Sequence, residues 1–352
     1  MSTDTATRNR REPRTQRSMR LASGIALCLA ISYGLNLPIP FIAPVLAVFL
    51  GATLNRPLSI KATLGLTLMM TLTTGSGLLL VPLLRYFPFC GVLLVGLCLF
   101  LAFRFDLRGG NKLVTTFAVI GLTMISSAGT ADYGLAMLVI GALVKGLLVA
   151  VLVHALSHWL FPECSPAQTP AVAARLADNE TSRLALRAAL VVLPTFLLAL
   201  TNPAGYLPII LAAVSLARQS CTTTARGAAR ELLGSTLLGG ALAILFWCAL
   251  SLFVHLWMFF LWMLLFGLLL ARKLYTLSPT RFPPGFWLNT LVTLNILLGQ
   301  SVQDSALGKD VYTAFAVRMG LFIAVSLYAC LVLQLLDRPH RIPRQSGAFK
   351  SP

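Results

Sequence analysis

Charge is scarce in this chain. Only 11% of its 352 residues are Asp, Glu, Lys or Arg, whereas 57% are hydrophobic, and mean hydropathy is +0.83. A soluble chain of this length needs far more charge to cover its surface, so the composition leaves only a polytopic membrane protein. Acids are the rarer sign, with 11 Asp+Glu against 28 Lys+Arg and a net charge of +17. No C-x-x-C pair occurs among the seven cysteines, Cys28, Cys90, Cys98, Cys164, Cys221, Cys248 and Cys330. Their odd, scattered count reads as small apolar fillers and not as a metal site or disulfide frame. There is no G-x-x-x-x-G-K-[ST] phosphate loop and no H-E-x-x-H or G-x-S-x-G. Neither ATP hydrolysis nor intramembrane hydrolysis is therefore expected, no cofactor is implied, and the chain is read as no enzyme.

What the chain does have is long apolar runs. A helix needs about 20 apolar residues to cross a bilayer. Segments of this kind run over Met19–Leu37, Phe41–Leu54, Ile60–Leu83, Phe89–Phe103, Leu113–Ser127 and Tyr133–Leu160, and again over Leu184–Leu200, Tyr206–Ala217, Leu232–Phe253, Leu256–Ala271, Phe286–Leu298 and Tyr312–Leu336. The second and eighth are short for a full crossing. The expected fold is thus all-α, with about twelve transmembrane helices. The first segment lacks a small-x-small cleavage site and the chain continues as membrane, so it is not read as a signal peptide.

The basic residues sit at segment ends, which points to membrane topology and not to nucleic acid. With the N-terminus in the cytoplasm, all of the 28 basic residues fall on the cytoplasmic side except Arg85 and Lys309, in outer loops, and Lys145 and Arg318, within helices. That asymmetry predicts both termini inside a bacterial cytoplasmic membrane.

The chain also reads as one unit written twice. Leu64-Gly-Leu-Thr-Leu68 follows Lys61, and Leu233-Gly-Ser-Thr-Leu237 follows Arg230. Arg20 matches Arg187, Pro44 matches Pro208, Arg104 matches Arg272, Asp132-Tyr133 matches Asp310-Val311-Tyr312, and Gly141 matches Gly320. The matches share an offset of roughly 165–180 residues. The expected organisation is a basic tail over 1–18, a first membrane repeat over 19–160, a linker over 161–183, a second repeat over 184–337 and a basic tail over 338–352. Six helices per repeat make the repeats parallel, related by an axis along the membrane normal.

The order of Arg20 and a helix, a Pro-rich hairpin, then a basic turn into Leu-Gly-x-Thr-Leu resembles the fusaric acid resistance (FUSC) superfamily, whose members include bacterial aromatic acid exporters and plant malate channels. Arg187, Pro208 and Arg230 through Leu237 carry the resemblance best. The typical bacterial exporters carry cytoplasmic domains after their membrane units, and this chain has almost nothing there, like the short branch of the superfamily. The resemblance implies an inner-membrane efflux component for small organic, typically aromatic, anions, working with a periplasmic adaptor of the membrane-fusion (HlyD-like) type.

Four constellations carry candidate chemistry, each with a bland counterpart. Pro38, Pro40 and Pro44 precede one short apolar run, and Pro203 and Pro208 another. Paired, Pro-interrupted segments point to a transport site whose helix N-termini favour anions, or to plain re-entrant turns. Lys145 and Arg318 lie inside equivalent helices, where a mid-membrane charge costs at least about 2.5–3.5 kcal/mol. They either hold a substrate carboxylate, or Arg318 pairs with Asp304 or Asp310 or snorkels outward. Asp132 and Asp310 begin equivalent helices, as proton-coupling acids or as caps. Thr63, Thr67 and Thr71, the set Asn289, Thr293 and Asn295, and Thr115, Thr116 and Thr123 form polar stripes that line a pathway or join helices. His154 and His158 share a helix face without a third metal ligand and read as interfacial. Glu231 beside Arg230 reads as an ion pair at the cytoplasmic surface.

The function expected from these features is a proton-driven secondary exporter of small organic anions. An organic-anion channel and a non-transporting assembly or lipid-handling protein are the alternatives. Oligomeric state is left open, because two fused halves form one complete pathway without a dimer.

Overall fold

The computed structural model describes residues 2–54, 58–162, 178–221, 223 and 225–336. Arg56, Cys164, Arg175, most of the 161–183 linker and the 338–352 tail lie outside the described residues. Among the described residues the chain is all-helical, without strands. Twelve rods follow one another: α1 (Ser2–Gly34), α2 (Ile42–Thr53), α3 (Ile60–Tyr86), α4 (Pro88–Leu107), α5 (Lys112–Ala131), α6 (Tyr133–Leu160), α7 (Asp178–Thr201), α8 (Pro203–Ser220), α9 (Ala229–Leu252), α10 (Leu256–Leu274), α11 (Pro284–Ala306) and α12 (Val311–Leu336). A single turn, Ala225–Ala228, leads into α9. Each apolar run of the sequence coincides with one rod. Eight of the rods, α3 to α7, α9, α10 and α12, are long and apolar enough to cross a membrane.

The rods outrun the apolar segments at their polar ends. Helix α1 reaches back from Met19 to Ser2, through a polar run that holds five Arg, four Thr and Pro13. These residues contribute nothing to an apolar count, so the sequence reading placed them in a tail.

Burial sorts the rods into an inner and an outer set. Residues 41–50 of α2 are all buried, and so are almost all of 207–220 in α8 and 286–301 in α11. In α5, 78% of the apolar window is buried, against 22% in α4. Helices α2, α5, α8 and α11 therefore form the centre, and α3, α4, α9 and α10 face outward. Twelve residues make α2 only about 18 Å long, too short for a bilayer about 30 Å thick. Its neighbours enclose it, so it needs no match to the lipid.

The packing partners follow a crossed pattern. Helix α1 packs along α10 and α4 along α7, while α2 contacts α11 and α5 contacts α8. Within 19–160, α1, α2 and α6 pack mutually, and within 184–336 so do α7, α8 and α12.

Chain ends of the rods are tied at two levels. At one, Arg14 donates to Thr276, Arg108 pairs with Asp178 and Tyr275 donates to the Gly51 carbonyl. At the other, Arg85 donates to the Thr130 carbonyl. The first level gathers Arg17, Arg20, Arg104, Lys112, Arg187, Arg218, Arg230, Arg272 and Lys273, and is called the basic end below. Arg85 and Lys309 sit at the far end.

Two rods are deformed where they cross. The 3-10 stretch Ser76–Leu80 of α3 lies against the π-helical stretch Gly121–Ile125 of α5. A Cβ on Gly77 would stand 2.0 Å from the Gly121 carbonyl oxygen, so only a hydrogen there allows this approach.

Candidate functional site

The second Leu-Gly-x-Thr-Leu copy is a polar seam. Gly234 lets α9 approach the Phe286 ring, to which a Cβ would come within 3.3 Å. Ser235 accepts from the Asn289 amide at 2.8 Å, and its carbonyl accepts from Thr290 at 3.3 Å. Thr236 and Ser326 of α12 share a hydrogen bond of 2.9 Å. Thr293 packs on Gly239, where a Cβ would lie 2.8 Å away. Both Asn289 and Thr293 are fully buried, and the seam joins α9, α11 and α12. Three buried carbonyl oxygens on α11, those of the Asn289, Asn295 and Gln300 side chains, have no hydrogen-bond partner among the described residues.

The first copy is different. Leu64 and Leu68 are exposed, nothing approaches Gly65 within 4 Å, and Thr67 and Thr71 bond back to the carbonyls of Thr63 and Thr67. This threonine stripe faces outward or is half-buried. Thr115, Thr116 and Thr123, by contrast, are all buried on α5.

Lys145 and Arg318 are not brought together. Lys145 is exposed on the outward stripe of α6 with Leu138, Leu148, Leu152 and Leu156. Arg318 on α12 makes a bidentate ion pair with Asp304 on α11, one bond from Nη1 to Oδ2 and one from Nη2 to Oδ1 at 3.0 Å. The Asp304 side chain is 4% exposed and that of Arg318 19%.

The acids at the far end cap helices. Asp132 accepts from the Leu135 N–H at 3.0 Å. Asp310 accepts from the Tyr312 N–H and from the Thr313 hydroxyl. The Thr313 bond, aided by the backbone N–H groups, holds the Asp310 carboxyl below the usual carboxylate range.

Pro44 and Pro208 are buried inside α2 and α8 and do not start them. Pro44 is the third residue of α2, and Pro208 the sixth of α8. The prolines that precede or open these helices are Pro40 and Pro203, and the Asn202 side chain caps α8 by accepting from the Gly205 N–H at 3.3 Å. Pro208 removes one backbone donor from α8, and its own side chain is buried among the neighbouring helices.

The constellation that sequence reading missed lies at the basic ends of the central helices. Arg218, near the end of α8, is half-buried. Its Nη1 donates to Thr116 of α5 at 2.8 Å, and its guanidinium carbon stands 5.7 Å from the centre of the Phe49 ring of α2. Asp106 of α4 lies within electrostatic reach of Arg218 and Lys112, and its Oδ1 is buried without a hydrogen-bond partner. Arg218 belongs to no ion pair among the described residues. Three central helices thus meet at one cation, and the only signal in the sequence was a basic residue ending the eighth segment, already assigned to topology. Nearby, buried Arg187 donates to the Thr223 carbonyl at 2.8 Å, and Thr223 in turn donates to Glu231 at 2.8 Å. Glu231, read from sequence as a partner of Arg230, is thus hydrogen-bonded inward.

The sequence is similar to a family described as proteins of unknown function (DUF2955), whose model matches residues 17–157. That match covers α1 to α6 beyond the first residues of α1. No curated protein and no solved structure matches the chain.

Proposed function

We propose that this chain is a secondary exporter of small organic anions with an aromatic body, built as two parallel six-helix halves. The observation that carries the reading is Arg218. It offers a half-buried guanidinium that makes no close ion pair among the described residues, with the Asp106 carboxylate within electrostatic reach, beside the face of Phe49, where helices of both halves converge. An aromatic carboxylate matches both features, since the guanidinium takes the carboxylate and the apolar wall takes the ring. The crossed packing supports the two-half reading, because exchanging the halves turns the α1–α10 contact into α7–α4, and α2–α11 into α8–α5. The family match ending at 157 agrees with a first unit that stops after α6.

Substrate would reach Arg218 from the basic end, which the charge asymmetry puts in the cytoplasm of a bacterial inner membrane. Export would be driven by the proton gradient, with Asp132, Asp310 or the buried Asp304 as carriers, and would pass substrate to an HlyD-like periplasmic adaptor. The resemblance to the FUSC exporters supports these finer steps.

The test is efflux of labelled hydroxybenzoate from proteoliposomes under an imposed pH gradient. Arg218→Gln should abolish it and Arg218→Lys should retain part, with both variants melting near the wild-type temperature. Unchanged efflux in Arg218→Gln, or no transport across a panel of organic acids, would remove the proposal.

A further inference from the structure

The middle of α6 carries an exposed charge that nothing in the chain neutralises. Lys145 is the only Lys, Arg, Asp or Glu among the 28 residues of Tyr133–Leu160. It is exposed and makes no hydrogen bond or ion pair among the described residues. It stands 12 residues, about 18 Å, from the far end of α6 and 15 residues, about 22 Å, from the basic end. A helix about 42 Å long, centred on a hydrocarbon core about 30 Å thick, leaves Lys145 about 12 Å inside that core, beyond the reach of its four-carbon stem. The stripe it stands on continues through Leu138, Leu148 and Leu152, all exposed. One turn away the backbone of α6 is open, because a Cβ on Gly141 would meet nothing within 4 Å.

We propose that this stripe is the docking face for a transmembrane helix of another protein, one that carries a carboxylate near its middle. A cation in hydrocarbon is costly, and intramembrane charges persist where an opposite charge or water meets them. Charge complementarity therefore specifies the occupant: an acid at the depth of Lys145, brought from outside the chain. A second copy of this chain cannot bring it. Beyond residue 18, every acid within the described helices lies within three residues of a helix end. Asp304, the buried one, is already held by Arg318. Two copies meeting along α6 would set Lys145 against Lys145. The notch at Gly141 lets a partner backbone come close, so that a short acidic side chain reaches the ammonium and forms a charge-assisted hydrogen bond. Lys145 thus faces lipid while the chain inserts and is covered once the partner docks. The face lies on the outside of α6 and not among the central helices, so it is independent of the transport reading.

The experiment reconstitutes the purified full-length chain in phosphatidylcholine liposomes with synthetic transmembrane helices of Leu and Ala. Each helix bears a single central Glu, Gln or Lys, and association is read by energy transfer to a dye on the N-terminus of the chain. The Glu helix should associate about tenfold more tightly than the Gln helix. Lys145→Leu, which changes an exposed residue, should abolish that preference, and Lys145→Glu should transfer it to the Lys helix. Lys309→Gln at the far end should leave it unchanged. Equal association of the Glu and Gln helices, or a preference that survives in Lys145→Leu, would overturn the docking face. Single-molecule bleaching on the same liposomes, without added helices, tests the other occupant: dimers that Lys145→Leu dissolves would place a second copy on this face and overturn the foreign partner.

Discussion

Replacing Arg318 by Gln removes one partner of a pair that closes α11 against α12. Asp304, 4% exposed, would then be buried with no cation beside it. Breaking a buried pair from one side costs about 3–5 kcal/mol. Asp304→Asn should cost less, about 2–3 kcal/mol, because Arg318 is 19% exposed and its long stem lets the guanidinium move toward the far end. Removing both charges leaves two amides able to bond each other, and the double variant should lose only about 1–2 kcal/mol. The singles therefore sum to well more than the double, with a coupling of at least about 3 kcal/mol. The measurement is a double-mutant cycle on purified protein, unfolded by heat or by denaturing detergent, with efflux measured in parallel. Additive singles, within about 0.5 kcal/mol, would show that the pair does not hold the two helices. Arg318→Gln that melts like the wild type but loses transport would make Arg318 a substrate ligand and refute the structural reading.

The deformed crossing of α3 and α5 makes a second prediction. Gly77→Ala should lower stability by about 1–3 kcal/mol through overpacking, while Gly65→Ala, with open space around it, should be neutral or gain up to about 1 kcal/mol; melting temperatures of the pair check this. Asn289→Leu should cost about 1–2 kcal/mol by removing the donor to the Ser235 hydroxyl oxygen, and Ser235→Ala with Asn289→Leu should recover part of the loss, read in the same melts. Asp310 has a depressed pKa in the folded chain, so its contribution to stability is present above its unfolded value near 3.9 and fades only as pH falls through the folded one. The melting temperature of wild type minus Asp310→Asn should thus be flat from pH 5 to pH 8 and shrink below about pH 4. Lys145→Leu should raise membrane insertion in a translocation assay by up to about 3 kcal/mol, since Lys145 lies on the outward stripe of α6; unchanged insertion would show that this stripe is not lipid-facing.

The positions of the rods were legible in the sequence because each needs an uninterrupted apolar run, and every run became a helix. The short second and eighth segments were legible too, as α2 and α8, but their central position shows only in their burial. Boundaries failed where a helix continues through polar residues, as in residues 2–18 of α1. The direction in which each rod faces was far less legible. In a soluble helix, water imposes a polar face, but in a bilayer the outward face is as apolar as the inward one. Helix α6 shows the consequence: nothing in its run of Leu, Val and Ala says that Lys145 points out and Gly146 points in.

The same loss of direction explains the fate of the repeated Leu-Gly-x-Thr-Leu. The two copies share one pattern but not one environment. In α9 the x position is Ser235, a hydroxyl that Asn289 can bond, and the segment turns into the bundle. In α3 the x position is Leu66, which is buried while its neighbours Leu64 and Leu68 face outward. One polar atom, with a partner on α11, separates a helix–helix seam from an outer wall. Pairwise partners of this kind lie some 50 residues apart in the chain, as Ser235 and Asn289 do, and no periodicity within either helix encodes them. Arg218 is the functional form of the same problem. At the end of its own segment it is one more basic residue on the charged side. It becomes a candidate ligand only when α5 brings Thr116 to it and α2 brings Phe49, so the chemistry resides in the meeting of the central helices and not in any one of them.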